Sequence, residues 1–88
     1  MNSIITKDPA HCYLCGEPAT QIHHVLFGSG KRKLADEDGL TVPLCMDCHA
    51  GVHKHYELQN FLKQVGQMAF EKTRSRDEFM KRYGRNYL

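Results

Sequence analysis

Two Cys-x-x-Cys pairs, "CYLC" at Cys12/Cys15 and "CMDC" at Cys45/Cys48, constrain this chain more than any other feature. They stand far apart in a chain of 88 residues, and a chain that short buries only about 60% of the surface its unfolded form exposes. Domains of this size recruit a metal, disulfides or a partner chain. The opening "MNSIITKDPAHC" lacks the charged region, long apolar stretch and cleavage site of a secretory leader, and no apolar run reaches membrane-spanning length. A cytoplasmic location is therefore expected, where thiols stay reduced, and paired cysteines there point to metal rather than disulfides. A tetrahedral zinc takes four soft ligands, and each Cys-x-x-Cys turn supplies two converging thiolates. A redox pair would explain one such unit, not two. The expectation is one closed structural zinc on Cys12, Cys15, Cys45 and Cys48, with a folding role and no position left for catalysis.

Between the pairs, "TQIHHVLF" (Thr20 to Phe27) and "LTVPLC" (Leu40 to Cys45) are β-branched and apolar, so both are expected as short strands. Pro43 has no donor for a ladder, which makes the second strand an edge or ends it. The intervening "GSGKRKLADEDG" is polar and punctuated by glycine, and is expected to be a long connection. Residues 1–11 are expected as a loose arm with an Asp8-Pro9 turn. After Met46 the pattern becomes helical: Leu58, Phe61, Leu62, Val65, Met68 and Ala69 recur at spacings of three and four. One long helix is expected, from about His49 or Tyr56 to about Thr73. "SRDE" at Ser75–Glu78 is a capping box, so a last helix starts there and stops at Gly84.

With the cysteines committed, the histidines become the next question. His49 and His53 lie one helical turn apart on one face, if the helix includes both, and two imidazoles at that spacing can grip one cation. His23 and His24 are neighbours on a candidate strand, where successive side chains point to opposite faces. One of them can face an ion while the other acts beside it. His11 and His55 have no partnered spacing and are expected to be solvated or satisfied locally.

"CYLC", "IHHV", "LTVPLCMDCH" and "GVH" together resemble the HNH endonucleases, over roughly Cys12 to His53. "HHVLFGSGKRKL" and "DEFMKRYGRNYL" are similar, more narrowly, to the small phage-type HNH proteins that include the recombination-enhancement nuclease. The resemblance implies a small zinc-stapled α+β domain of ββα-metal, treble-clef-like type. Its single nuclease domain would span residues 12–88, with a ββα core over about 12–55 and a helical extension over 56–88. It implies that His24 is the general base, and that His23, His49 and His53 hold a catalytic divalent ion. The middle Asn of the family pattern is absent: Gly39-Leu40 stands where it would precede the second strand. Three imidazoles with open positions suit Ni2+, Co2+, Mn2+ or Zn2+ better than Mg2+, which would need waters to complete its shell.

Twelve Lys and Arg against ten Asp and Glu give a net charge of +2, which neither requires nor excludes nucleic acid. Local clusters matter more. Lys31, Arg32 and Lys33 follow the candidate catalytic strand between glycines and are expected to clamp DNA phosphates, while Arg82 and Arg85 are weaker candidates. Nothing in the chain is suited to reading bases, so low sequence specificity and strong salt dependence are expected. The function expected is metal-dependent nicking of DNA, in phage-type DNA processing or recombination and in the host cytoplasm if phage-encoded. The competing readings are a zinc-stabilised nucleic-acid-binding module without catalysis, and an accessory domain docking on phage or host recombination or packaging proteins. The oligomeric state stays open, with Met68 and Met80 as candidate contacts to another chain.

Overall fold

The two β-branched runs pair with each other in a computed structural model of the chain, which describes residues 3–88. Gln21–His24 (β1) and Thr41–Leu44 (β2) form an antiparallel ladder. Gln21 stands opposite Leu44, Ile22 opposite Pro43, His23 opposite Val42 and His24 opposite Thr41. A two-stranded sheet has only edges, so Pro43 costs it little. Among the described residues the remaining elements are helices: Lys31–Asp38 (α1), Met46–Lys54 (α2), Tyr56–Phe70 (α3) and Arg76–Tyr83 (α4). The architecture is α+β, with the sheet and helices sharing one core that includes Val25, Leu26, Leu40, Val42, Leu44, Val52, Leu62, Phe70, Phe79 and Tyr83.

The expected long connection after β1 is instead a helix. Gly30 at its start and Gly39 at its end both take left-handed backbone, with φ of 82° and 73°, so the two glycines bound α1 rather than loosen a loop. Only Ala35 is fully buried within it, with Leu34 packed against the core. Asp38 supplies a further anchor. Its carboxylate, almost buried, accepts from Arg82 Nε at 2.8 Å, Tyr83 Oη at 2.6 Å and Arg74 Nη1 at 3.3 Å. That network fastens α1 to α4 and the turn before it.

Of the two expected starts for the long helix, Tyr56 is the one found, as the start of α3, and the earlier helical stretch is a separate helix, α2. The chain breaks at His55, which has extended backbone (φ −115°, ψ 109°) and ends α2 while opening α3. No proline or glycine marks the break. Packing accounts for it: α2 turns His49, Val52 and His53 toward the sheet, whereas α3 must lie against the chain after β1 and against α4. There α3 comes very close, because a Cβ on Gly66 would sit 2.6 Å from Val25 Cγ2. The buried face of α3 is Leu62, Gly66, Gln67, Ala69 and Phe70. Phe61 and Met68, expected in the apolar stripe, are about half exposed, at 48% and 57%.

Helix α4 begins as the capping box predicts, with Ser75 Oγ accepting from Glu78 N at 3.1 Å, and stops at left-handed Gly84 (φ 81°). Its Phe79 and Tyr83 pack edge to face against Phe70 of α3. The N-terminal arm is anchored rather than loose from Ser3 onward: Ser3 Oγ donates to Thr41 O at 2.6 Å, Ile4 N donates to Gly39 O, and Ile5 packs on the core. Residues 1 and 2 of the expected arm lie outside the described residues. The Asp8-Pro9 turn is present, with Asp8 accepting from Ala10 N at 3.0 Å. Among the described residues no helix is long and apolar enough to cross a membrane.

Candidate metal centres

The first Cys-x-x-Cys turn closes on Gly16, whose φ of 82° lets its N–H reach back to Cys12 O. The second pair opens α2. Cys45 is the N-cap there, its sulfur accepting from Cys48 N at 3.4 Å. The knuckles meet because Tyr13 N bonds to Pro43 O, next to the end of β2. The four sulfurs come within 4.8 Å of one another, with Cys15 and Cys45 Sγ 3.7 Å apart. Zinc–sulfur bonds of about 2.3 Å in a tetrahedron place ligand sulfurs roughly 3.8 Å apart, so the spacing fits. Burial pushes the Cys12 thiol up, but backbone hydrogen bonds from Cys45, Cys15 and Leu14 outweigh it and bring it down to about 6. The Cys48 thiol is pushed up, chiefly by its bond with Cys45. Four thiolates at this spacing repel one another, so the fully ionised set needs a cation. These four cysteines could hold a metal such as zinc.

One helical turn beyond Cys45, the same helix supplies a different centre. His49 and His53 project toward His23 of β1, and one nitrogen from each ring lies within 4.8 Å of the others. His49 and His53 Nε2 are 3.2 Å apart. Gln21 Oε1 accepts from His49 Nδ1, which leaves His49 Nε2 with a lone pair toward its neighbours. His23 is buried, and its Nε2 has no hydrogen-bond partner. Burial, with His49 and His53 beside it, drops the His23 imidazole to about 4, and burial also lowers His49. Both rings are therefore neutral at pH 7. A buried, unpartnered imidazole nitrogen is costly unless something fills its need, and a divalent cation suits a neutral imidazole set.

Neighbours on β1, His23 and His24 part as strand alternation requires. His24 leaves the triad and places Nε2 3.1 Å from Asp36 Oδ1 of α1. Its side chain is 10% exposed, that of Asp36 50%. All four histidines nevertheless line one cavity of about 260 Å³, with Ile22, Phe27 and Arg32. Arg32 and Lys33 share a second, more open hollow with His24 and Asp36. The three expected phosphate ligands are thus on the first turn of α1, not in a loop, and two of them stand beside His24. Lys31 lines neither cavity. Arg82 is committed to Asp38 and Glu37. His11 pairs with Asp8 at 2.9 Å, and His55 caps helices, so both lie outside the clusters as expected. Asp36 and Gln21 escaped the sequence reading. Neither has a telling spacing, and only the strand pairing and α1 bring them to the histidines.

The profile of the DUF968 family, described as a protein of unknown function, matches residues 6–82, a span that contains both clusters. No curated protein and no solved structure matches the chain.

Proposed function

The chain belongs to the DUF968 family, and we propose that it is a metal-dependent endonuclease of the HNH, ββα-metal type that nicks DNA with little intrinsic sequence specificity. One observation carries this reading: a three-imidazole cluster, with a buried nitrogen lacking any partner, shares a cavity with a fourth histidine outside the cluster. Strand β1 supplies His23 and His24, and helix α2, which follows β2 in the chain, supplies His49 and His53.

Hydrolysis of a phosphodiester requires a proton acceptor for the attacking water, positive charge for the phosphoryl oxygens, and relief for the departing oxygen. A divalent ion on His23, His49 and His53 would supply Lewis-acid charge at the phosphoryl group. His24 is the proton acceptor. Asp36 accepts from its Nε2–H and thereby leaves Nδ1 with the lone pair. The water gives its proton to His24, its oxygen bonds to phosphorus, and the bond from phosphorus to the 3′ oxygen breaks. The departing oxygen takes a proton from solvent, leaving a 5′-phosphate and a 3′-hydroxyl. Asp36 orients His24 from α1, and so stands in for the middle Asn of the family pattern that this chain lacks. Arg32 and Lys33, beside His24, hold the phosphate as point charges and hydrogen-bond donors.

The test is nicking of supercoiled plasmid with Mg2+, Mn2+, Ni2+ or Zn2+, beside His24→Ala. Metal-dependent nicking that His24→Ala abolishes while keeping its fold is the expected result. No nicking in any of these metals, with DNA still bound, would replace this reading by that of a zinc-stabilised nucleic-acid-binding module.

A further inference from the structure

Three of the twelve basic side chains are held in ion pairs, and nine have no ion-pair partner among the described residues. Arg74, Arg76 and Arg82 are neutralised by Asp38, Glu78, Glu71 and Glu37. Among the nine, Lys63 of α3 and Arg85 of the C-terminal tail meet at one ring, Tyr87, and the charge of Lys31 on α1 acts on Lys63. Lys63 Nζ stands 5.1 Å over the Phe27 ring and 5.5 Å over Tyr87, and the Arg85 guanidinium lies 4.8 Å over Tyr87. Phe27 is itself a wall of the histidine cavity, with its ring 5.9 Å from that of His53. Cations and rings thus alternate outward from the cavity edge.

This arrangement is held in place. Gln67 is fully buried in α3; its Oε1 accepts from Tyr87 N at 2.8 Å and its Nε2 donates to Asn86 Oδ1 at 2.7 Å. Gln64 Nε2 donates to Tyr87 O at 2.9 Å. A buried amide with its hydrogen bonds satisfied by the tail fixes the residues beside Arg85 rather than leaving them to fray. Burial, together with Arg85 and Lys31, holds the Lys63 ammonium below the ordinary lysine range. Like charges gathered without a carboxylate repel, and an anion would relieve them.

The geometry points to a phosphate-binding ledge, formed by Lys63 and Arg85, that seats the DNA backbone next to the phosphate in the histidine cavity. This rests on the nuclease reading for the direction of the strand, but not for the binding itself. The occupant is the sugar–phosphate backbone rather than the bases, because cations already cover the ring faces on which bases would stack. The ledge lies on the Phe27 side of the cavity, whereas Arg32 and Lys33 lie on the His24 side. A strand crossing the cavity is then held on both flanks.

The test is a fluorescence-anisotropy titration of a labelled duplex with the zinc-loaded full chain and no other divalent ion, repeated across about 50 to 200 mM salt. Each lost phosphate contact lowers the slope of log K against log salt by about 0.9. The Lys63→Gln/Arg85→Gln variant is expected to bind about tenfold more weakly and to lose close to two such contacts. Arg85→Gln alone, at an exposed position, is expected to lose about one contact without disturbing the core. Lys72→Gln/Lys81→Gln removes equal charge elsewhere and should leave the slope unchanged. Wild type that fails to bind, or a ledge variant with the affinity and slope of the control pair, overturns the ledge. If the slopes fall as expected but plasmid is never nicked, the ledge stands and the nuclease reading alone fails.

Discussion

The cysteine and histidine clusters share helix α2, yet they differ in donor count and in what surrounds them. The cysteines come from two tight turns, meet at tetrahedral spacing and use every donor on one centre. The histidines come from one strand and one helix face, number three, and open onto a cavity with a fourth histidine and an arginine. A closed set of thiolates can only staple, whereas an open set of neutral imidazoles leaves room for substrate. On the proposed nuclease reading, donor count and surroundings, more than the presence of a metal-binding pattern, separate a structural centre from a working one.

The largest effect should come from breaking the staple. Cys45→Ser is expected to leave the chain largely unfolded by far-UV circular dichroism, because closed zinc sites in small folds contribute on the order of 10 kcal/mol. His49→Ala should keep its helical signal. A Cys45→Ser protein that folds normally beside a collapsed His49→Ala would invert the comparison. Next in size is His24→Ala, expected to slow nicking about 100- to 10,000-fold, the usual range for loss of a general base, with thermal stability nearly unchanged.

Two aspartates of α1 sharpen the contrast further. Asp38→Ala removes the buried acceptor of Arg82, Arg74 and Tyr83 and should cost about 2 kcal/mol in urea unfolding, with the partly exposed arginines softening the loss. Asp36→Ala should cost little stability but slow nicking about 10- to 100-fold, as loss of a supporting hydrogen bond does. Asp36→Asn, which keeps an acceptor for His24, should recover most of the rate; no recovery would make Asp36 something other than a positioning residue.

The smallest effect concerns His23. Its folded imidazole titrates near 4, below the usual value of about 6.5. The unfolded chain therefore binds the proton first as pH falls, and stability is lost between these two values and fully kept above them. With only the cysteine centre loaded, unfolding free energy should fall about 1 kcal/mol from pH 7 to 5.5. The fall should be smaller in His23→Gln, with His49 supplying what remains; an equal fall in both would move the effect to another group.

What could be read from the residues alone was local. The Cys-x-x-Cys pairs, the His49/His53 spacing, the opposed His23 and His24 and the Ser75 cap are all patterns within a few positions, and a single turn or strand dictates each. What escaped depends on contacts remote in the chain. Helix α1 buries little beyond Leu34 and Ala35 and is pinned through Asp38 by residues 36 to 45 positions away. Gly66 and Gln67 were left out of the α3 stripe because neither is apolar. Gly66 is buried to let Val25 approach, and Gln67 to hold the tail. The same holds at the sites, where Asp36, Gln21 and Lys63 gain meaning only from the partners the fold brings to them.

Counting metals tests the central claim most directly. Protein saturated with Zn2+ or Ni2+, freed of excess and measured by elemental analysis, should carry two ions per chain. His49→Ala/His53→Ala should carry one, and that one should resist mild chelation longer than the ion this variant loses. A single ion in the wild type, or a count unchanged by removing both histidines, would contradict the account of two differently built centres.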